Sequence, residues 1–208
     1  SSAYTCGMIM DELSTTRSAL LELKAESRSM REAYSFLDEK RTILASALAR
    51  ELKAYEEARQ AVEEAWVPAL RALEEAVAWH GLESLQCQPA LAGVPDRDGV
   101  RIRESAILGV TLLEAEFDPI ALAAPALPPL ARVCADRFRA LTGQAARLAA
   151  HSGNLLRLYQ EYRRTERRAH ALEDVLLPEL EAIARRIDDH LEALDLEEAV
   201  RVRCLSRP

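Results

Sequence analysis

With 208 residues, 29% of them charged, only 5% aromatic, and Ala, Leu, Glu and Arg in excess, the chain has the composition of long helices rather than of an aromatic-cored globule. No stretch approaches the ~20 uncharged apolar residues that carry a helix across a bilayer, and the first residues lack the basic-then-apolar order of a signal peptide, so a soluble, intracellular chain without membrane insertion is expected. A formal net charge of -7 argues against non-specific binding to nucleic acid or anionic lipid.

Residues 1–13 read as a flexible N-terminus, and residues 14–80 as one helix. Within it Leu20, Ser27, Tyr34, Arg41, Leu48, Tyr55, Val62, Ala69 and Ala76 form a seven-residue track. Leu23, Met30, Leu37, Leu44, Glu51, Ala58, Ala65, Ala72 and Trp79 form a second, three residues further on. That is the a/d offset that lets a helix keep a narrow apolar seam against a partner helix. Only Ser27, Arg41 and Glu51 break it. Pro68 removes a backbone donor and crowds the carbonyl one turn back, so a bend is expected there.

The middle, residues 81–128, is hostile to helix. Gly81, Pro89, Gly93, Pro95 and Gly99 follow one another closely, and Asp96 to Gly99 is a turn-forming cluster. Val100, Ile102 and the run from Ala106 to Leu113 then offer the β-branched content of short strands or a hairpin. Pro119, Pro125, Pro128 and Pro129 close the segment. A tip of ~50 residues buries little core alone, which makes it a contact element or a hairpin packed on the stem.

Residues 129–200 return to the helical period, with residues 201–208 as a tail. Leu141, Leu148, Leu155, Tyr162, Ala169, Leu176 and Ile183 form one track beside Leu158 and Leu172, and Leu180, Ile187 and Leu194 take over near the end. The change of track falls at Pro178, where a bend and a phase shift are expected. The two ladders are matched in period and length, each worth a helix on the order of 100 Å at ~1.5 Å per residue. A compact domain of this size would have a radius of gyration of only ~17 Å. The expected fold is therefore all-α: a long antiparallel two-helix coiled coil formed by the N- and C-terminal segments, with a small non-helical or β-hairpin tip.

Charges at core-type positions cost several kcal/mol unless they are met. In an antiparallel pairing Arg41 faces the region of Glu173 and Asp174, and Glu51 faces Arg163, Arg164 and Arg167, so opposite signs meet and would fix the register. A partly exposed seam with both groups solvated fits equally well. Arg157, Arg163, Arg164, Arg167 and Arg168 make a basic band, either a solvated face or a docking surface for acidic groups of a neighbour.

Candidate chemistry is sparse. The four cysteines lack C-x-x-C spacing; antiparallel pairing would bring Cys6 near Cys204 and Cys87 near Cys134, with bonding left open. The histidines form neither E-x-x-H nor H-E-x-x-H patterns and read mostly as surface residues. There is no phosphate-binding G-x-x-x-x-G-K-[ST] loop and no G-x-S-x-G. No catalytic residue, cofactor or metal is assigned.

The stretch Tyr162 to Leu180 resembles the signature of the D subunit of rotary V-type and archaeal-type ATPases, T-x-R-R-x-N-A-L-E-x-x-x-x-P, with Thr165, Arg167, Arg168, Ala171, Leu172, Glu173 and Pro178 in register. Thr16, Arg17, Leu20, Leu23, Lys24, Leu37, Lys40 and Arg41 match the family's N-terminal landmark, and Ile107 to Val110 sits where the family has a short N-x-M-G-V-x-V-P element. His170 replaces the signature Asn, Ala33 a Gly, and Ala106 an Asn, which marks a divergent, bacterial-like member. The resemblance implies a non-catalytic central-stalk rotor, one copy per complex, peripheral to the membrane on the cytoplasmic side. It would couple ATP hydrolysis or synthesis to rotation and to proton or sodium transport. Its implied partners are the A and B subunits of the head, the F subunit and the membrane-proximal cap of the C/d type. The alternative is a free-standing coiled-coil scaffold that self-associates.

Overall fold

The computed structural model describes residues 16–86, 100–117 and 127–205. Helix α1 spans Arg17–His80 and is followed by the short α2, Leu82–Gln86. Strands β1, Val100–Ile107, and β2, Val110–Phe117, form an antiparallel hairpin. Helix α3, Pro129–Ala171, passes through a π turn, Leu172–Leu176, into α4, Leu177–Leu205. Long helices at both ends and a small hairpin between them are the architecture the two ladders predict.

Local chemistry sets the ends of these elements. The Thr16 hydroxyl accepts the Ala19 N–H at 3.3 Å, capping α1 at its start. Gly81, at φ +75°, donates its N–H to the Val77 carbonyl at 2.9 Å and closes α1 in a left-handed cap that glycine enters without a Cβ penalty. Pro129 opens α3 at the position where its missing N–H costs nothing. Pro68 lies inside α1, which runs unbroken to His80. Helix α4 continues past Val200 to Leu205, through most of the stretch expected as a tail.

The chain divides into two compact units. The first combines residues up to Arg41 with those from Arg164 onward. Its core is Leu20, Leu23 and Ile187, with Leu180, Ile183, Ala184 and Leu191 packed around them. Arg17, Lys24 and Arg31 meet Asp195, Asp188 and Glu181 at 2.8, 3.0 and 2.6 Å. Each heptad forward on α1 is matched by a heptad backward on α4, which is the register of an antiparallel pair. The π turn sits in this unit. Leu177 donates its N–H to the Leu172 carbonyl, five residues back. Pro178 follows at once, and the widened turn accommodates a residue that cannot donate and would crowd the Asp174 carbonyl. The turn absorbs the one residue by which the step from Leu172 to Leu180 exceeds a heptad, setting the later residues back by roughly 100° relative to an uninterrupted α-helix, so that Leu180 and Ile187 take over the seam. It also turns Leu176 outward, to 41% exposure.

The second unit runs from Thr42 to Arg163. Leu44, Ala47, Val110 and Leu158 form its buried cluster, flanked by Leu48, Leu112 and Tyr162. Ala69, Ala72, Ala76, Ala131 and Leu141 continue the burial. Ile107 pairs with Val110, leaving Leu108 (φ 49°) and Gly109 (φ 85°) as a two-residue turn with both residues left-handed. Leu108 carries roughly 1–2 kcal/mol of strain there, which the paired strands sustain. Asp96 to Gly99, read as a turn, lies outside the described residues. Besides Leu176, two further ladder positions leave the seam: Trp79 is 78% exposed at the end of α1, and Leu194 is 45% exposed on α4.

Leu44 and Leu158 are fully buried in one cluster. Leu44→Ala and Leu158→Ala should each cost about 2–5 kcal/mol in urea unfolding, and the double variant less than their sum, because the second truncation widens a cavity already opened.

Candidate interaction site

Polar side chains at seam positions form two stations, one in each unit. In the first, Arg41 is half-buried and donates to Asp38 Oδ1 at 2.6 Å. This corrects the expected pairing with Glu173 and Asp174. Asp38 lies one turn earlier on the same helix, within reach of the guanidinium without crossing the seam. Glu173 instead accepts the hydroxyl of Tyr34. The bond to Glu173 holds the phenol above its ordinary 10.0, with partial burial and the carboxylate's charge adding to the effect. His170 stands 3.6 Å from Asp174. Among the described residues, His170, Glu173 and Asp174 are the one set of side chains grouped closely enough to hold a cation, and all three are exposed.

The second station centres on Glu51, whose side chain is 16% exposed. His151 Nδ1 lies 2.8 Å from Glu51 Oε1, and Asn154 Nδ2 donates to the same oxygen at 2.9 Å. Asn154, 3% exposed, also accepts the Leu113 N–H and donates to the Leu113 carbonyl, both at 2.8 Å. Arg157 donates to Asn154 Oδ1 at 2.7 Å and to the Thr111 carbonyl at 2.9 Å. These partners replace Arg163, Arg164 and Arg167, the set expected for Glu51. The reason is register: in this unit Leu44 packs with Leu158 and Glu51 meets His151, so position 51 falls roughly three to four turns short of the arginines.

The basic band therefore divides. Arg157 turns inward onto the hairpin, whereas Arg163, Arg164, Arg167 and Arg168 are exposed on α3. Pro178 marks the π turn. Reading the sequence missed His151 and Asn154, although a signal was present. His151 lies on the same heptad track as Leu158 and Leu172, and polar residues on both facing seams at one height imply a third element that uses them. It also missed the ladder of Arg17, Lys24 and Arg31, visible as cations at heptad spacing beside the seam. Arg31 is the main cause that holds the Glu181 carboxyl below its ordinary 4.5, with Arg185 adding to it. The stability this contributes is present above the carboxylate range and fades as pH falls through it. Cys134 and Cys204 are free thiols, and burial raises the Cys134 pKa. Cys6 and Cys87 lie outside the described residues. No described helix is long and apolar enough to cross a membrane.

The family model for the ATP synthase D subunit matches residues 19–207. The chain is 27% identical over 194 residues to the V-type ATP synthase D subunit of Thermotoga neapolitana, covering 91% of this chain and 95% of that one. It is 31% identical over 197 residues to the V-type ATP synthase D subunit of Thermus thermophilus, covering 93% and 87%. To the A-type ATP synthase D subunit of Thermococcus gammatolerans it is 28% identical over 198 residues, covering 90% of each.

An alkaline titration followed by tyrosinate absorbance should contain a phenol ionising above 10.0 that disappears in Tyr34→Phe and moves down in Glu173→Ala. A raised pKa means the neutral phenol is favoured in the fold. The stability it adds is present below 10.0 and is lost as pH rises through the folded value, so Tyr34→Phe should flatten the alkaline fall in stability.

Proposed function

Since the chain belongs to the ATP synthase D subunit family, and is thus part of a hetero-oligomeric rotary ATPase, we propose that it is the central-stalk rotor of that complex. In this reading the A and B subunits carry out ATP hydrolysis or synthesis, and this chain, itself non-catalytic, turns among them and couples the chemistry to proton or sodium transport. The observation that carries the proposal is α1, an unbroken helix from Arg17 to His80 whose seam is matched by antiparallel partners in each unit. A rotor must transmit torque without unwinding, and two helices locked by interdigitated side chains resist torsion better than one.

Asymmetry follows from side-chain size. The seam is Leu-rich at Leu20, Leu23 and Leu44 and Ala-rich at Ala69, Ala72 and Ala76, so its width changes along the helix. A shaft of varying, unsymmetrical section can meet three equivalent catalytic interfaces differently at each angle. Arg163, Arg164, Arg167 and Arg168 are proposed as the docking surface for acidic groups of a neighbouring protein of the complex. Arg41, Glu51, Glu173 and Pro178 are proposed to set the shape of the shaft, and the F subunit and the membrane-proximal cap to engage it outside the head.

Co-expressed with the A, B and F subunits, the chain should assemble one copy per hexamer. A bead fixed to it should then turn in ATP-dependent steps. A stable homo-oligomer that never joins a hexamer would instead identify a self-associating scaffold. Replacing the four arginines with glutamine should weaken assembly and reduce its sensitivity to salt, while the thermal midpoint of the isolated chain shifts by no more than about 2–4 °C.

A further inference from the structure

The hairpin is attached to its helices by little apolar surface. Of its described residues only Val110 is fully buried, with Leu112 packed beside it, while at the far end of β2 the half-buried Phe117 ring lies against Gly143 of α3. Every residue of β1 from Val100 to Ala106 is exposed. Two strands alone are marginal in water, and with apolar contact largely confined to β2, polar contacts must help to fix where the hairpin lies.

The pairing pattern identifies them. Ile107 and Val110 flank the two-residue turn and exchange hydrogen bonds, and in an antiparallel ladder such pairs alternate with pairs whose N–H and C=O groups point away from the partner strand. Thr111, opposite Ala106, and Leu113, opposite Glu104, are of the outward kind. These are the residues that α3 meets: Arg157 takes the Thr111 carbonyl, and Asn154 takes both the N–H and the carbonyl of Leu113. A side-chain amide carries the same donor and acceptor as a peptide group, so Asn154 stands where a residue of a third strand would stand. Its remaining N–H goes to Glu51 Oε1 on α1, an oxygen that also lies 2.8 Å from His151 Nδ1.

We propose that Asn154 is a latch that fixes the hairpin to the helix pair, and that Glu51 occupies a seam position in order to hold this amide in its one productive orientation. With the amide flipped, its oxygen would face two acceptors, the Leu113 carbonyl and the Glu51 carboxylate. The latch thereby makes β2, α3 and α1 of this unit one mechanical element and presents the exposed face of β1 in a fixed position. It belongs to the chain itself and does not depend on the rotary role.

Hydrogen exchange followed by mass spectrometry on the full-length chain tests it. Asn154→Leu preserves size and removes the polar atoms. It should speed exchange of the strand amides between Arg101 and Phe117 by about tenfold or more, while the α1 amides around Leu44 and the α3 amides around Leu158 keep their protection. Asn154→Asp keeps an acceptor for the Leu113 N–H, loses the donor, and should loosen the hairpin as well. Glu51→Gln retains an acceptor and should leave strand exchange within about twofold of the parent, whereas Glu51→Leu should raise it. Strand protection unchanged in Asn154→Leu, or strands and helices loosened equally, would overturn the latch. Should Asn154→Leu fail to fold, Glu51→Leu with unchanged strand exchange would overturn it in the same way.

Discussion

Everything in this fold depends on the packing of two narrow apolar seams with a shared seven-residue period. A helix with so few aromatic side chains and so much surface charge has no other way to bury enough area to stay folded over sixty residues, since helix propensity alone is marginal. Burial follows the two tracks of α1 with little deviation. Leu20, Leu23, Ser27, Leu44, Ala69, Ala72 and Ala76 are buried, and the intervening track positions up to Ala76 are at least half-covered. The ion pairs of Arg17, Lys24 and Arg31 are all exposed and contribute register more than stability.

Departures from the seam are where the structure carries most information. A seven-residue repeat does not divide evenly into 3.6-residue turns, and a chain can correct or exploit the mismatch by inserting a residue. The π turn at Leu172–Leu176 does this next to Pro178, and Glu173 within it is tied to Tyr34 on the facing helix. The polar break at Glu51 has a different cause. It marks the height at which a third element, the hairpin, joins the pair through Asn154.

The sequence revealed the seams, the hairpin-bearing middle and the change of track at Pro178, because each follows from local periodicity or from residues with restricted backbones. Partner identities were not legible in the same way. Assigning Glu51 to Arg163, Arg164 and Arg167 required a register carried across most of the chain, and an offset of roughly three to four turns takes all three arginines out of its reach. Arg41 was given a distant partner when Asp38 lay one turn away on the same helix. His151 read as a surface residue because its heptad track, shared with Leu158 and Leu172, does not by itself say that the facing seam carries Glu51 at the same height. Trp79, in phase with its track, is exposed because phase alone does not supply a facing side chain.

Opposed pairing of the terminal helices is the claim on which the rest stands, and distances between spin labels test it directly. With the native cysteines replaced, labels at Lys24 and Asp188, whose side chains meet at 3.0 Å, should give a short distance. Labels at Arg31 and Glu181, each seven residues from the first pair in opposite directions, should again be close, whereas Arg31 and Asp195 should lie more than about 20 Å apart, fourteen residues along the axis. A short Arg31–Asp195 distance together with a long Arg31–Glu181 distance would contradict the antiparallel seam.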